Sequence, residues 1–311
     1  MKFQNKILIF VIVLLGAFFI IKKSTNSFSL YKKNKISIVC STSIIADCIK
    51  NIIDDDFEVF SLMGPGIDPH LYKPTPQDIF LLNSADIVIY NGLHLEGKMA
   101  DIFESLNNRN IKSYGIGNYI EKKDLIQTEY DTIYDPHIWF DVIIWIDALE
   151  KIKDKIIECF PNKKNIIEKK WNTYRDELIK LDRWIHNQVE YIPLKKRILI
   201  TAHDAFKYFG KRYCIQVEGL QGISTDSEVT IGDIERISKL ILENNIRTIF
   251  VEQTISHEYL KNIQTIISKH NHCVNIGEQL FSDALGENGT GGETYISMIQ
   301  SNVIALVKGL Q

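Results

Sequence analysis

Three histidines stand in turn-forming segments with stiff neighbours. His70 lies in Gly64-Pro65-Gly66-Ile67-Asp68-Pro69-His70-Leu71-Tyr72-Lys73-Pro74-Thr75-Pro76, His137 in Asp135-Pro136-His137-Ile138-Trp139-Phe140-Asp141, and His203 in Thr201-Ala202-His203-Asp204-Ala205-Phe206. A carboxylate, Asp283, sits in Phe281-Ser282-Asp283-Ala284-Leu285-Gly286. Three imidazoles and one carboxylate suit a borderline divalent cation, because neutral imidazole nitrogen and a hard oxygen both bind zinc and its first-row neighbours. Pro69 and Pro136 fix the backbone just before two of the histidines, which limits the loop entropy lost on capturing an ion.

These residues are widely separated, so no local spacing rule of the HExxH or CxxC kind detects them. A lone loop histidine is more often an ordinary polar residue than a ligand. That reading is given to His94, His186, His257, His270 and His272. Two other patterns are set aside. The glycine-rich run 286–294 lacks the Gly-Lys-Ser/Thr ending of a nucleotide loop. Ser282 and His203 lack the GxSxG elbow of a hydrolase nucleophile.

The elements that must position the four residues follow a βα rhythm. Residues 35–41 read as a strand and 44–53 as the helix after it; 58–63 read as a second strand running into the His70 segment. A helix over 76–84 and a strand over 86–91, closed by Gly92, continue the pattern. It resumes with β-type runs at 197–201, 215–219, 248–252 and 273–276. The expected fold class is α/β, with two lobes, each a mostly parallel sheet with flanking helices. His203 falls at the carboxyl end of its strand, where open α/β sheets bind ligands. Two such lobes facing each other bring all four residues into one cleft.

Between the lobes, Ile167, Trp171, Tyr174, Leu178, Leu181 and Ile185 recur at alternating steps of four and three. This is the narrow apolar stripe of one long helix, with Lys170, Asn172, Arg175 and Asp182 on its other sides. Pro161 and Pro193 bound it. Roughly 28 residues at ~1.5 Å rise make a rod of about 42 Å, a stiff connector. The expected organisation is an export signal or N-terminal anchor at 1–29, an N-terminal α/β lobe at 35–160, a linker helix at 161–192 and a C-terminal α/β lobe at 196–311. The stretch 121–134 mixes acidic and basic residues and reads as a surface loop.

At 311 residues the chain is long for one small domain, which favours two lobes. A net charge of -3 gives no electrostatic reason to expect nucleic-acid binding. Lys2 and Lys6 precede an unbroken apolar run over 7–21, the pattern of an export signal. As a helix that run spans only about 22 Å at ~1.5 Å per residue, short of a bilayer core of about 30 Å. A cleavable signal is favoured over an uncleaved anchor, although no clear small-x-small cleavage site follows. Five cysteines include no CxxC pair, and their odd number leaves at least one thiol unpaired within the chain. Cys40 follows the β-type run Ile36-Ser37-Ile38-Val39, which places it in a first strand rather than at a lipid-attachment site.

Several motifs in order carry a family resemblance. Gly66-Ile67-Asp68-Pro69-His70 with Tyr72 and Pro74-Thr75-Pro76, then Asp86-Ile87-Val88-Ile89-Tyr90-Asn91-Gly92 and Leu95-Glu96, resemble the TroA-like metal-binding receptors of ABC importers. Asp135-Pro136-His137-Ile138-Trp139, Thr201-Ala202-His203-Asp204-Ala205-Phe206-Lys207-Tyr208-Phe209, Gly219-Leu220-Gln221-Gly222 and the Phe281–Gly286 segment continue the likeness across about 35–311. The resemblance implies two α/β lobes joined by a single long helix, with one metal buried between them. It implies His70, His137, His203 and Asp283 as its ligands. The manganese-selective branch carries glutamate at the third position, where this chain has His203. Zinc receptors of the family often carry a histidine-rich acidic loop, and 121–134 holds no histidine.

The expected protein is then an exported, non-enzymatic carrier at the periplasm or the outer face of the cytoplasmic membrane. It captures one divalent transition metal, Zn2+ and Mn2+ ranking near even and Fe2+ third, and delivers it as a monomer to an ABC permease and its ATPase. Membrane contact comes through the N-terminal segment or the permease. One rival is a zinc hydrolase with metal-bound water and Glu228 or Asp204 as general base. Another is a surface adhesin on the same scaffold.

Overall fold

The structure, a computed structural model, describes residues 35–128, 133–255 and 258–311, the side chain of Asn107 excepted. The apolar run at 7–21, the export segment and His257 lie outside the described residues. The first strand, β1 (Ile36–Thr42), buries every residue after its first, as a strand covered on both faces must. Thr42 caps the helix that follows, α1 (Ser43–Ile52), by accepting from the Ile45 amide. After β2 (Phe57–Met63) comes α2 (Pro76–Ser84), started by a capping box between Thr75 and Asp78 with Pro76 at its first position. Then follow β3 (Ile87–Tyr90), α3 (Ala100–Asn108) and β4 (Lys112–Gly115). The strands lie in the order β2-β1-β3-β4. Both β1–β3 and β3–β4 are parallel, Val39 beside Val88 and Val88 beside Ser113.

Two long helices come next, α4 (Val142–Cys159) and α5 (Lys164–Val189). α5 has 26 residues, about 39 Å of rod at ~1.5 Å rise. Its stripe Ile167, Trp171, Tyr174, Leu178, Leu181 and Ile185 is buried throughout, against α1 and α4. One residue expected on its wet side is not there. Asp182 is buried and receives Arg212 Nε at 2.8 Å, Arg212 Nη2 at 2.9 Å and the Tyr213 hydroxyl at 2.9 Å. A carboxylate can lie on a core-facing side when so many donors meet it.

The second half repeats the rhythm with β5 (Ile198–His203), α6 (Lys207–Tyr213), β6 (Gln216–Gln221), α7 (Ile231–Glu243), β7 (Thr248–Ile249), α8 (Glu258–Ser268), β8 (Asn275–Ile276) and α9 (Tyr295–Leu310). α9 also packs on α5. β5 and β6 are parallel, as are β7 and β8. A backbone bond of 2.8 Å from Phe250 N to Ile200 O carries the layer from β5 to the β7 segment. Ile200, Leu220, Ile237, Ile241, Ile249, Leu260, Ile263 and Ile267 form the core beneath it. The run expected over 248–252 pairs regularly only at its start. Its end, Glu252, forms a single bridge with Leu280 and turns its side chain under His203.

All five cysteines are free thiols. Cys40 is buried within β1, as its β-type neighbours predicted.

Candidate metal centre

Of the four sequence-marked residues, His203 ends a strand, His137 immediately precedes a short 3-10 turn (Ile138–Phe140), and His70 and Asp283 lie in connections after β2 and β8. His70 lies on the Gly/Pro-rich connection between β2 and α2, where Gly66 takes a φ of +71° that side chains rarely adopt. Asp68 then accepts from the His70 amide at 2.8 Å. The second Asp-Pro-His tripeptide folds the same way, with Asp135 accepting from the His137 amide at 2.9 Å. An aspartate two residues before an amide closes an Asx turn, and the intervening proline holds its φ.

The β3 end braces the second turn. Asn91 Nδ2 donates to Pro136 O at 2.9 Å. Buried Glu96 fixes Asn91 by accepting from its amide at 2.8 Å, from Gly92 N at 3.1 Å and from Ser41 Oγ at 2.6 Å. From α6, the Tyr208 hydroxyl donates to Asp135 O at 3.0 Å. His203 is the last residue of β5. A side chain at Gly219 on the neighbouring strand would collide with the Asp204 backbone, at 2.5 Å from its nitrogen. The Asp283 segment is held from both flanks. Ser282 O accepts from Trp139 Nε1 at 3.1 Å, Leu285 O accepts from Gly66 N at 3.2 Å, and Leu285 N donates to Ser43 Oγ at 3.0 Å.

All four side chains converge. One ligand atom from each of His70, His137, His203 and Asp283 lies within 4.8 Å of every other, and all four residues are buried. The Nε2 atoms face inward: His70 to His137 at 3.4 Å, His137 to Asp283 Oδ1 at 3.4 Å and His203 to Asp283 Oδ2 at 3.3 Å. Neither Asp283 oxygen receives a hydrogen bond of good geometry, although both are buried. A carboxylate so placed lacks the partners that burial demands, and a cation between it and the imidazoles would supply them.

Two carboxylates stand behind the rings. Asp135 Oδ1 lies 2.7 Å from His137 Nδ1, and Glu252 Oε2 lies 2.5 Å from His203 Nδ1. Glu252 Oε1 also accepts from the His203 amide at 2.8 Å. Such partners fix the ring orientation, keep Nε2 as the coordinating atom and raise its basicity. Sequence reasoning missed both roles. For Asp135 the signal was present, an aspartate two residues ahead of a histidine. For Glu252 there was none, since it reaches His203 from the segment after β7.

The charges follow this layout. Burial opposes a proton on His137, but the carboxylates of Asp135 and Asp283 prevail and push its pKa up to about 9. Burial likewise opposes charge on His203, and Glu252 with Asp283 outweighs it, raising the pKa well above the usual value. Burial would raise Asp283, yet His203 and His137 hold it well below the carboxylate range. His70, with no carboxylate behind its ring, is driven by burial down to about 3.

The remaining histidines have other surroundings. His186 stacks edge-on to Tyr213, ring centres 4.9 Å apart, and His272 Nε2 contacts Ile246 O at 2.7 Å. His270 is exposed. Asp204 pairs with Lys207 at 2.5 Å and Glu228 is exposed.

The profile described as zinc-uptake complex component A, periplasmic, matches residues 38–309. The chain is 38% identical to the manganese-binding lipoprotein MntA of Bacillus subtilis over 299 residues, 96% of this chain and 97% of that protein. It is 36% identical to the zinc-binding protein TroA of Treponema pallidum, with 88% of each covered. The solved structure of that periplasmic zinc-binding protein superposes with a TM-score of 0.86 over 89% of this chain and 99% of its own. Fe(III)-bound YtgA of Chlamydia trachomatis, 27% identical, follows at 0.80 over 89% and 98%.

Proposed function

From a chain that belongs to the zinc-uptake complex component A family, we propose an extracytoplasmic solute-binding component of an ABC importer. It captures one divalent transition-metal ion and hands it to a membrane permease powered by an ATPase. The ion is cargo, and His70, His137, His203 and Asp283 hold it. The observation that carries this reading is the convergence of those four buried side chains within 4.8 Å.

Three imidazole nitrogens and one carboxylate suit zinc, and equally manganese at longer bonds. Relatives of both kinds match the chain along most of its length, so the cargo is Zn2+ or Mn2+, with Fe2+ third. Four protein ligands leave no position for an activated water, as is usual for closed sites rather than catalytic ones. The rival hydrolase also needs a base, and Asp204 is engaged by Lys207. The protein is accordingly a carrier and not an enzyme.

The same reading divides the chain into lobes at 35–160 and 196–311 with the helix of 161–192 between them, and makes it an exported monomer. The lobe division is supported by one observation: the stiff 26-residue helix is there. Release occurs when the permease separates the lobes, or when the imidazoles protonate, since ligation needs them neutral.

The test is elemental analysis of protein purified without added metal, followed by calorimetry with Zn2+ and Mn2+. One tightly held ion is expected. Unchanged affinity for both ions in His203→Ala and Asp283→Ala would remove the proposal.

A further inference from the structure

Of the four converging residues, His70 alone lines one large cavity among the described residues. That cavity, about 730 Å³, is walled also by Leu93 and His94 from the first half and by Gly222, Ile223 and Ser224 from the loop after β6. His70 is 5% exposed, while His137 and His203 are 0% and Asp283 is 1%. An ion leaving by this route passes His70, and the loop after β6 forms the facing wall.

That loop reaches across to the turn that holds His70. Thr225 Oγ1 donates to Asp68 Oδ2 at 2.6 Å. Asp68 Oδ1 meanwhile accepts from the His70 amide at 2.8 Å. One carboxylate thus spans the gap, bound to the loop by one oxygen and to the His70 backbone by the other. The loop is itself fastened, because Gln221 Nε2, at the end of β6, donates to Thr225 O at 2.8 Å. The next residue adds a weaker tie, Asp226 to Lys98 at 3.4 Å, with both side chains exposed.

The twin tripeptides differ at this point. Asp135 uses the same oxygen for the His137 amide and the His137 ring. Asp68 instead sends its second oxygen to Thr225. His137 is therefore oriented from within its own turn, whereas the turn of His70 is tied to a distant loop.

We propose that Thr225 and Asp68 form a latch that sets how fast the ion leaves, Thr225 acting as a positioning residue through Asp68 on His70. This rests on the carrier reading. With the hydroxyl bonded, loop and turn are locked and His70 stays over the ion. Breaking that bond frees the turn, withdraws His70 and opens the cavity route, while His137, His203 and Asp283 keep their places. The latch acts on the rate of exchange more than on whether the site forms.

The test uses the purified full chain loaded with Zn2+ and mixed rapidly with excess chelator, in wild type, Thr225→Val, Thr225→Ser and Lys98→Ala. Thr225→Val should release Zn2+ about tenfold faster or more, the scale of one hydrogen bond to a charged acceptor. It should still bind one ion, and the melting temperature of the metal-free form should fall by no more than several degrees. Thr225→Ser, which keeps the hydroxyl, should match wild type, and Lys98→Ala should differ by less than about threefold. Release from Thr225→Val at the wild-type rate overturns the latch alone. Equal acceleration in Thr225→Ser also overturns it, since that would be a packing effect. A wild-type chain that binds neither Zn2+ nor Mn2+ overturns the carrier reading, and the latch with it.

Discussion

Glu252 grips His203 twice, its Oε2 2.5 Å from the ring Nδ1 and its Oε1 accepting from the amide at 2.8 Å. A single buried carboxylate thereby sets both the ring angle of this histidine and the backbone that bears it. Glu252→Gln should keep one ion per chain but weaken Zn2+ affinity by about 10–100-fold, the usual cost of losing a partner behind a ligand. Calorimetry measures it; an unchanged affinity would show that the grip serves folding only.

Asp283 is the one anion among the four. Asp283→Ala should cost several kcal/mol of an apparent ~10–16 kcal/mol for a tight zinc site. The cost should exceed that of His70→Ala, which removes a neutral group. Competition with chelators of graded strength ranks the two.

The ion and the proton compete at His137. In the metal-free chain its pKa is raised to about 9 by Asp135 and Asp283 against the opposing effect of burial. At pH 7 the empty site therefore holds that proton, and an incoming cation must expel it. His70, down at about 3, has none to give. Binding at pH 7 should release at least about one proton, visible as a dependence of calorimetric enthalpy on the buffer's ionisation heat. Affinity should fall as pH falls.

Asp182 anchors α5 to α6 through Arg212 and Tyr213. Burial opposes its charge, but these donors hold its pKa below the ordinary carboxylate range. Its contribution is therefore present above the unfolded-chain value of about 3.9 and lost as pH drops through the folded value. Asp182→Ala should destabilise the metal-free protein by about 2–4 kcal/mol at neutral pH, less than a fully buried pair because Arg212 is partly exposed. Denaturant melts check it, and the deficit should shrink in acid.

Sequence made the apolar patterning of this fold readable, and with it the site's inner ring. The α5 stripe, β1 to β3 and the histidines with rigid neighbours declare themselves locally, whereas the short β4 does not. Asp-Pro-His announces a turn because its three residues act on one another. The failures share a cause. Asp182 had the look of a wet-side residue until Arg212 and Tyr213, far along the chain, arrived to satisfy it. Glu252 had the look of a strand residue. Thr225 sat in an unremarkable polar loop. Each owes its role to a partner that only the tertiary fold supplies, and no periodicity or spacing records such a partner.

The Asp283 segment, pinned between Trp139, Gly66 and Ser43, fixes when the site can exist. Its four side chains are strewn from residue 70 to residue 283, and the sole anion arrives near the end of synthesis. A nascent or still-unravelled polypeptide has no piece able to trap a cation firmly. Loading must wait for the finished tertiary structure, wherever in the cell that is completed.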